Sequence, residues 1–200
     1  MFTGIVAAIG RVTRIDPLTE GVRLRINCGD LSMADARLGD SICVNGVCLT
    51  AVELGPDHFD ADVSRETLDC TVGLDSLGEV NLEKSLTLAD RLGGHLVSGH
   101  VDGVGRVVRF EAVGESWFLQ IEAPDGIAGY IARKGSVTVN GTSLTVNHVE
   151  RRIFDINIIP HTRAVTTFRS LQSGDRVNLE VDLIARYVER MLTAEKELQA

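Results

Sequence analysis

Ser41-Ile42-Cys43-Val44-Asn45-Gly46-Val47-Cys48-Leu49-Thr50 reads as two short strands folded about an Asn-Gly turn. A type I′ turn needs two residues that tolerate positive φ, so Asn-Gly between alternating apolar residues marks a tight hairpin. Ninety-five positions later, Ser136-Val137-Thr138-Val139-Asn140-Gly141-Thr142-Ser143-Leu144-Thr145 repeats it. The same offset lays Gly4, Val6, Gly10, Arg11, Val12 and Arg14 on Gly99, Val101, Gly105, Arg106, Val107 and Arg109. Phe59, Asp60 and Thr67 fall on Phe154, Asp155 and Thr162. In all, 19 of residues 1–68 match residues 96–163, or roughly 28% where composition predicts roughly 6–7%. A two-residue shift then sets Val80-Asn81-Leu82-Glu83 on Val177-Asn178-Leu179-Glu180. The chain is a tandem duplication; solenoid repeats are shorter and more numerous.

Each copy reads as short strands. Val22, Leu24, Ile26 and Cys28 alternate with polar neighbours, as do Phe59, Ala61 and Val63, the period of a half-buried strand. With an opening strand through Gly4–Val6, or Gly99–Val101, and the strand at Val80 or Val177, each copy has about six, enough to close a small barrel and remove its edges. The expected fold is all-β: two tandem six-stranded barrels over 1–94 and 95–182, followed by a helix over 183–200. Short helices are expected around Ser32–Arg37 and Asp125–Arg133, with Asp125 as an N-cap. In the tail, Ile184, Tyr187, Met191, Ala194 and Leu198 follow a and d spacing, widened by Leu183, Val188 and Leu192. That stripe must be buried, either on the chain's own barrels or against copies of itself. Both barrels look complete without it, which favours self-association.

Composition narrows the function. A net charge of −8 argues against nucleic acid, which calls for a basic face, and 4% aromatic residues are few for base stacking. No apolar run spans a bilayer and the first residues lack a signal-peptide pattern, so a cytoplasmic protein is expected. Cys28, Cys43, Cys48 and Cys70 have no CxxC spacing and read as free thiols. His95 and His100 do not have the spacing of a helical zinc pair, and neither a P-loop, a GxGxxG nor a GxSxG motif occurs. No metal and no cofactor are expected.

The copies differ where chemistry would matter. Cys48 faces Ser143 in the repeat, Ile5 faces His100, and Gly39 faces Lys134. Drift would explain any one of these; together they place a thiol, an imidazole and an ammonium beside glycines and hairpins.

Four segments in order, Met1–Val6, Asn45–Thr50, Gly93–His100 and Lys134–Val146, resemble the riboflavin synthase alpha-chain family across essentially the whole chain. The resemblance implies Greek-key barrels, a homotrimer held by C-terminal helices, and a site shared between the N-terminal barrel of one subunit and the C-terminal barrel of another. It also implies a cofactor-free transferase. Two molecules of 6,7-dimethyl-8-ribityllumazine would exchange a four-carbon unit, giving riboflavin and 5-amino-6-ribitylaminouracil. The substrate-contacting segments it implies are Gly4, Ile5, Val6, Cys48, Leu49, Thr50, Asp62, Val63, Ser64, Arg65, Glu66 and Thr67 in the first barrel. In the second they are Gly99, His100, Val101, Lys134, Ser143, Leu144, Thr145, Ile158, Ile159, Pro160, His161, Thr162 and Arg163. Phe2, Ser41 and Asp182 match as well. On this reading His100 is the candidate base for the acidic 7-methyl group. Cys48 or Ser41 is the candidate activator of C7, while Ser143, Thr145 and Lys134 orient the ring and stabilise charge. The alternatives are a non-enzymatic lumazine- or flavin-binding relative and a flavin-binding oxidoreductase domain. The second would normally bring a nicotinamide-binding βαβ unit, and none is visible. Association with lumazine synthase is left open.

Overall fold

A computed structural model describes residues 1–198, with the side chains of 195–197 and the last two residues of the 183–200 segment outside the described residues. The first barrel closes in the order β1 (Ala8–Leu18), β2 (Gly21–Asn27), β5 (His58–Ser64), β4 (Val47–Leu54), β3 (Ser41–Val44), β6 (Gly78–Lys84). The long connection from β2 to β3 sets β2 beside β5, a Greek-key arrangement. The second barrel has the same order in β7 (Gly103–Val113), β8 (Ser116–Glu122), β11 (Ile153–Ile158), β10 (Thr142–Glu150), β9 (Ser136–Val139) and β12 (Arg176–Val181).

The hairpin turns form as their sequence dictates, with Asn45 at φ 50° and Gly46 at φ 87°, Asn140 at 46° and Gly141 at 79°. Even the irregularities are duplicated. Register shifts at Val12/Arg14 and Ala51/Glu53 recur at Val107/Arg109 and Val146/His148. Such bulges bend a strand enough to help close a barrel. Leu24, Ile26 and Phe59 fill the first core, and Leu119, Ile121 and Phe154 occupy the equivalent places in the second.

Three expectations need correction. Residues 32–37 form turns rather than a helix, and Asp125 is the first residue of the short α2 (Asp125–Ala128), whose N-cap is Pro124 with no side-chain cap. Gly4–Val6 and Gly99–Val101 are not strands. Gly4 and Gly99 have φ of 75° and 76°, a left-handed conformation that breaks strand geometry, and the strands begin at Ala8 and Gly103. Helices α1 (Arg65–Cys70) and α3 (Pro160–Val165), with a 3-10 turn at Thr167–Ser170, were not foreseen.

The barrels meet in a seam with near-twofold reciprocity. Phe2 and Val97, equivalent in the repeat, exchange backbone bonds of 2.8 and 3.1 Å. Ser143 N–H donates to Gly4 O at 2.7 Å, and Cys48 N–H donates to Gly99 O at 2.8 Å. Asn81 Nδ2 donates to Asn140 O, and Asn178 Nδ2 donates to Asn45 O, both at 2.9 Å. An isologous interface gives this pattern, residue i of one half meeting j of the other and j meeting i.

Helix α4 (Leu183–Leu198) follows β12 and is tethered by Arg186, which donates to Asp102 Oδ2 at 2.9 Å and His100 O at 2.8 Å. Its stripe is exposed in the single chain: Ile184 at 70%, Tyr187 at 66% and Met191 at 73%. No helix among the described residues is long and apolar enough to cross a membrane.

The seam separates two glycines that share a left-handed backbone. A Cβ on Gly46 would lie 2.9 Å from Gly141 N, whereas one on Gly39 would meet nothing within 4 Å. Both Gly→Ala changes incur the left-handed cost of about 1–2 kcal/mol, but only Gly46→Ala also pushes the barrels apart. Urea unfolding should therefore show the larger loss for Gly46→Ala. Equal losses would mean the seam yields freely.

Candidate functional site

Alternation on β3 and β4 turns Leu49 inward and Ser41, Cys48 and Thr50 outward, with Ser41 opposite Thr50 and Cys43 opposite Cys48. The second copy turns Ser136, Ser143 and Thr145 outward in the same frame. Cys43 is buried in the seam with Phe2 and Val97, and Cys48 packs at its edge. Burial pushes the Cys43 thiol far up and the Cys28 thiol up to about 11, so both are inert core groups.

The segments ahead of β1 and β7 complete these faces crosswise. Gly99–Val101 was grouped with the second barrel, but Gly99 lies against Cys48, and Val101 packs on the first core. Gly4 correspondingly lies against Ser143 of the second barrel. Each approach requires glycine, since a Cβ on Gly4 would come within 2.8 Å of Ser143 N, and one on Gly99 within 2.9 Å of Cys48 N. A buried carboxylate holds each segment. Glu83 accepts Thr3 N–H at 2.7 Å, Thr3 Oγ1 at 2.6 Å and Gly4 N–H at 2.9 Å. Glu180 accepts Ser98 N–H at 2.7 Å, Gly99 N–H at 2.9 Å and His100 N–H at 3.1 Å. Burial raises both carboxyl pKa values, and these bonds oppose the rise.

The first face therefore carries Ser41, Cys48 and Thr50, with the Gly99–Val101 segment, including the exposed His100, set against Cys48. At its border, Asp62 binds Arg23 through bonds of 2.6 and 2.9 Å, and Ser64 caps α1 by accepting Thr67 N–H at 3.1 Å. Arg65 and Glu66 open α1, with Arg65 paired to Asp69. The second face carries Ser143 and Thr145, with the Gly4–Val6 segment set against Ser143; at the start of α3, Ile159 stands in Ser64's place without a capping side chain. Pro160, His161 and Thr162 form the first turn of α3, and Arg163 sets its guanidinium 4.4 Å from the Trp117 ring centre. Val6 lies half-buried between Ile5 and β1.

Several expected contacts are internal. Phe2, Leu49, Val63 and Ile158 are buried, and Leu144 packs on the second core, so these side chains shape the faces from behind. Asp182 accepts Ile184 N–H at 3.0 Å at the head of α4. Lys134 is exposed and left-handed at φ 65°, where the first copy has Gly39 at 91°.

Two residues emerge only in three dimensions. Trp117 is one. The other is His95, whose Nδ1 lies 2.7 Å from Ser143 Oγ, a pairing 48 residues apart that sequence spacing does not reveal. A groove of about 710 Å³ reaches Ser41, Ile5 and Lys84 but is not lined by Cys48, Thr50, His100 or Ser143. Within one chain Thr50 and His100 are exposed, and Cys48 and Ser143 are half-buried.

This is a duplicated barrel protein that presents two related, unequal faces. Residues 3–85 and 98–182 each match the lumazine binding domain, and the chain belongs to that family. It is 44% identical over 198 residues to a riboflavin synthase of Photobacterium phosphoreum, covering 98% of this chain and 91% of that one. It is 48% identical to the riboflavin synthase of Mycobacterium bovis, covering 96% and 98%. The fold also matches a solved structure of LumP complexed with riboflavin, with a TM-score of 0.82 and 24% identity over 90% of this chain and 99% of that one.

Glu180→Gln removes one oxygen acceptor while three N–H groups still need partners. Leaving a buried donor unpaired costs about 1–3 kcal/mol. Denaturant unfolding should show a loss of that size, and amide exchange at Ser98, Gly99 and His100 should quicken. Unchanged protection there would mean Glu180 does not hold the segment.

Proposed function

We propose that this chain is a riboflavin synthase. It takes two molecules of 6,7-dimethyl-8-ribityllumazine, moves a four-carbon unit from one to the other, and releases riboflavin and 5-amino-6-ribitylaminouracil. The observation that carries this reading is that both copies keep a complete face while differing at matched positions. Two molecules of one substrate acting as donor and acceptor call for related but unequal sites. A pure binding protein has no such need. The near full-length similarity to riboflavin synthases supports the same reading. The exchange balances between two identical substrates, so neither an external oxidant nor a carbon carrier is required.

The barrels over 1–94 and 95–182 each present one face to one substrate, completed by the segment that leads into the other barrel, and 183–200 assembles three chains. The exposed faces and the uncovered α4 stripe support a site closed by another subunit. His100 takes the 7-methyl proton from one substrate. Cys48 or Ser41 promotes addition at C7 of the other, while Ser143 aligns the ring, and Thr145 and Lys134 stabilise its developing negative charge. Holding two rings face to face contributes on the order of 7–11 kcal/mol of the acceleration.

The test is to incubate the protein with 6,7-dimethyl-8-ribityllumazine alone. Riboflavin fluorescence should appear; bound lumazine without product would assign the chain to the non-enzymatic binders. In the active protein, His100→Gln should lower kcat by about 10²–10⁴ with little change in substrate affinity. A mutant that keeps the full enzyme-dependent deuterium exchange at the 7-methyl group would remove His100 from the role of base.

Deleting residues 183–200 should convert trimers to monomers in light scattering and abolish most turnover. A fully active monomer would place the whole site within one chain.

A further inference from the structure

We infer that His95 is a positioning residue for the proposed reaction: its Nδ1 accepts the Ser143 hydroxyl proton and turns the Oγ lone pairs toward the substrate on the second face. The contact is built into the segment joining the barrels. His95 N–H donates to Thr3 O at 3.1 Å, which fixes the backbone, and Nδ1 lies 2.7 Å from Ser143 Oγ. The residue before it must be glycine for this approach, since a Cβ on Gly94 would come within 2.9 Å of both Ser143 Cβ and Oγ and 2.2 Å of Thr3 O. The other ring nitrogen, Nε2, is buried without a partner, so Ser143 is the imidazole's one hydrogen-bonding partner among the described side chains. Burial lowers the His95 pKa, with the Asp182 charge pulling the other way, and a neutral ring keeps one nitrogen free to accept.

A hydroxyl has one proton and two lone pairs. Once the proton is committed to Nδ1, both pairs are left for groups on the outer face. Ser143 then meets the ligand as an acceptor, and its oxygen gains electron density through the charge-neutral relay. Cys48, its repeat mate, has no imidazole hydrogen-bonded to it among the described residues. The inequality of the two faces therefore includes the partner behind the side chain as well as the exchange of sulfur for oxygen.

This inference rests on the synthase reading, and its test separates the two. The full chain would be assayed with 6,7-dimethyl-8-ribityllumazine as wild type, His95→Asn, His95→Leu, Ser143→Ala and His95→Leu/Ser143→Ala. An asparagine amide superposes on the Nδ1 side of the ring, so His95→Asn should stay within about threefold of wild type, whereas His95→Leu should lower kcat by about 10²-fold with substrate affinity little changed. In the Ser143→Ala background the same His95→Leu change should cost less than about twofold, because contacting residues are non-additive. Equal losses in both backgrounds, or a loss confined to affinity, would overturn the inference. If the wild type binds lumazine without turnover, the synthase reading fails, and ¹⁵N imidazole spectra still decide the contact. The ring should be the neutral tautomer protonated at Nε2, and Ser143→Ala should shift the Nδ1 resonance. An Nδ1-protonated ring, or no shift, would overturn the inference even if His95→Leu fails to fold.

Discussion

Everything placed on the two faces depends on the crossed seam, in which the segment leading into each barrel ends against the other barrel's hairpin. Ser143 N–H reaches Gly4 O and Cys48 N–H reaches Gly99 O, so the outward residue that begins each ligand face is fixed by the opposite half. A chain of two independent barrels would leave these backbone groups to water and these faces open on one side. Reciprocity also explains why the left-handed glycines recur in both copies. A left-handed glycine needed on one side of an isologous contact, such as Gly4 or Gly46, is needed on the other at Gly99 or Gly141.

Beside the apolar contact of Phe2, Cys43 and Val97, the seam buries a set of paired amides that make it selective. Asn45 Oδ1 accepts Asn81 N–H at 3.1 Å, Asn140 Oδ1 accepts Asn178 N–H at 2.8 Å, and the Asn81 and Asn178 amides then cross to the opposite hairpin. Their carbonyl oxygens take Thr167 N–H and Val72 N–H, both at 2.8 Å, tying down the segments after α3 and α1. An unmatched buried amide costs more than a matched one contributes, so a slipped register is disfavoured by several donors and acceptors at once. Asn45 and Asn140 thus serve twice: they accept the positive φ of the turn, and they present the amide that fixes the partner strand.

Local chemistry was legible in the sequence; chemistry assembled across the seam was not. The Asn-Gly turns and the inward alternation of Leu24 and Ile26 are short-range signals, the duplication is a self-match at a fixed offset, and together they led correctly to two barrels. Gly4–Val6 looked like a strand because its apolar residues suit one, yet the left-handed Gly4 and the Glu83 carboxylate take its backbone out of the ladder. Ser64 and Pro160 are helix-start residues, but the six-residue helices they open are too short for apolar periodicity to announce. Trp117 under Arg163 and His95 beside Ser143 depend on contacts between distant residues, which no single-sequence pattern encodes.

The asymmetry between the copies has a physical direction. At three matched positions the framework is held constant while the group it presents changes: Cys48 against Ser143, Ile5 against His100, Gly39 against Lys134. The last is the most telling, because Lys134 occupies the left-handed region that costs a non-glycine residue about 1–2 kcal/mol, and the first copy shows that glycine fits there. The Lys134 backbone N–H donates to Val146 O at 2.8 Å, while the ammonium is exposed and its side-chain contact with Asn147 is a long 3.4 Å. The two barrels therefore share one scaffold for placing backbone and differ in the groups they present at matched positions.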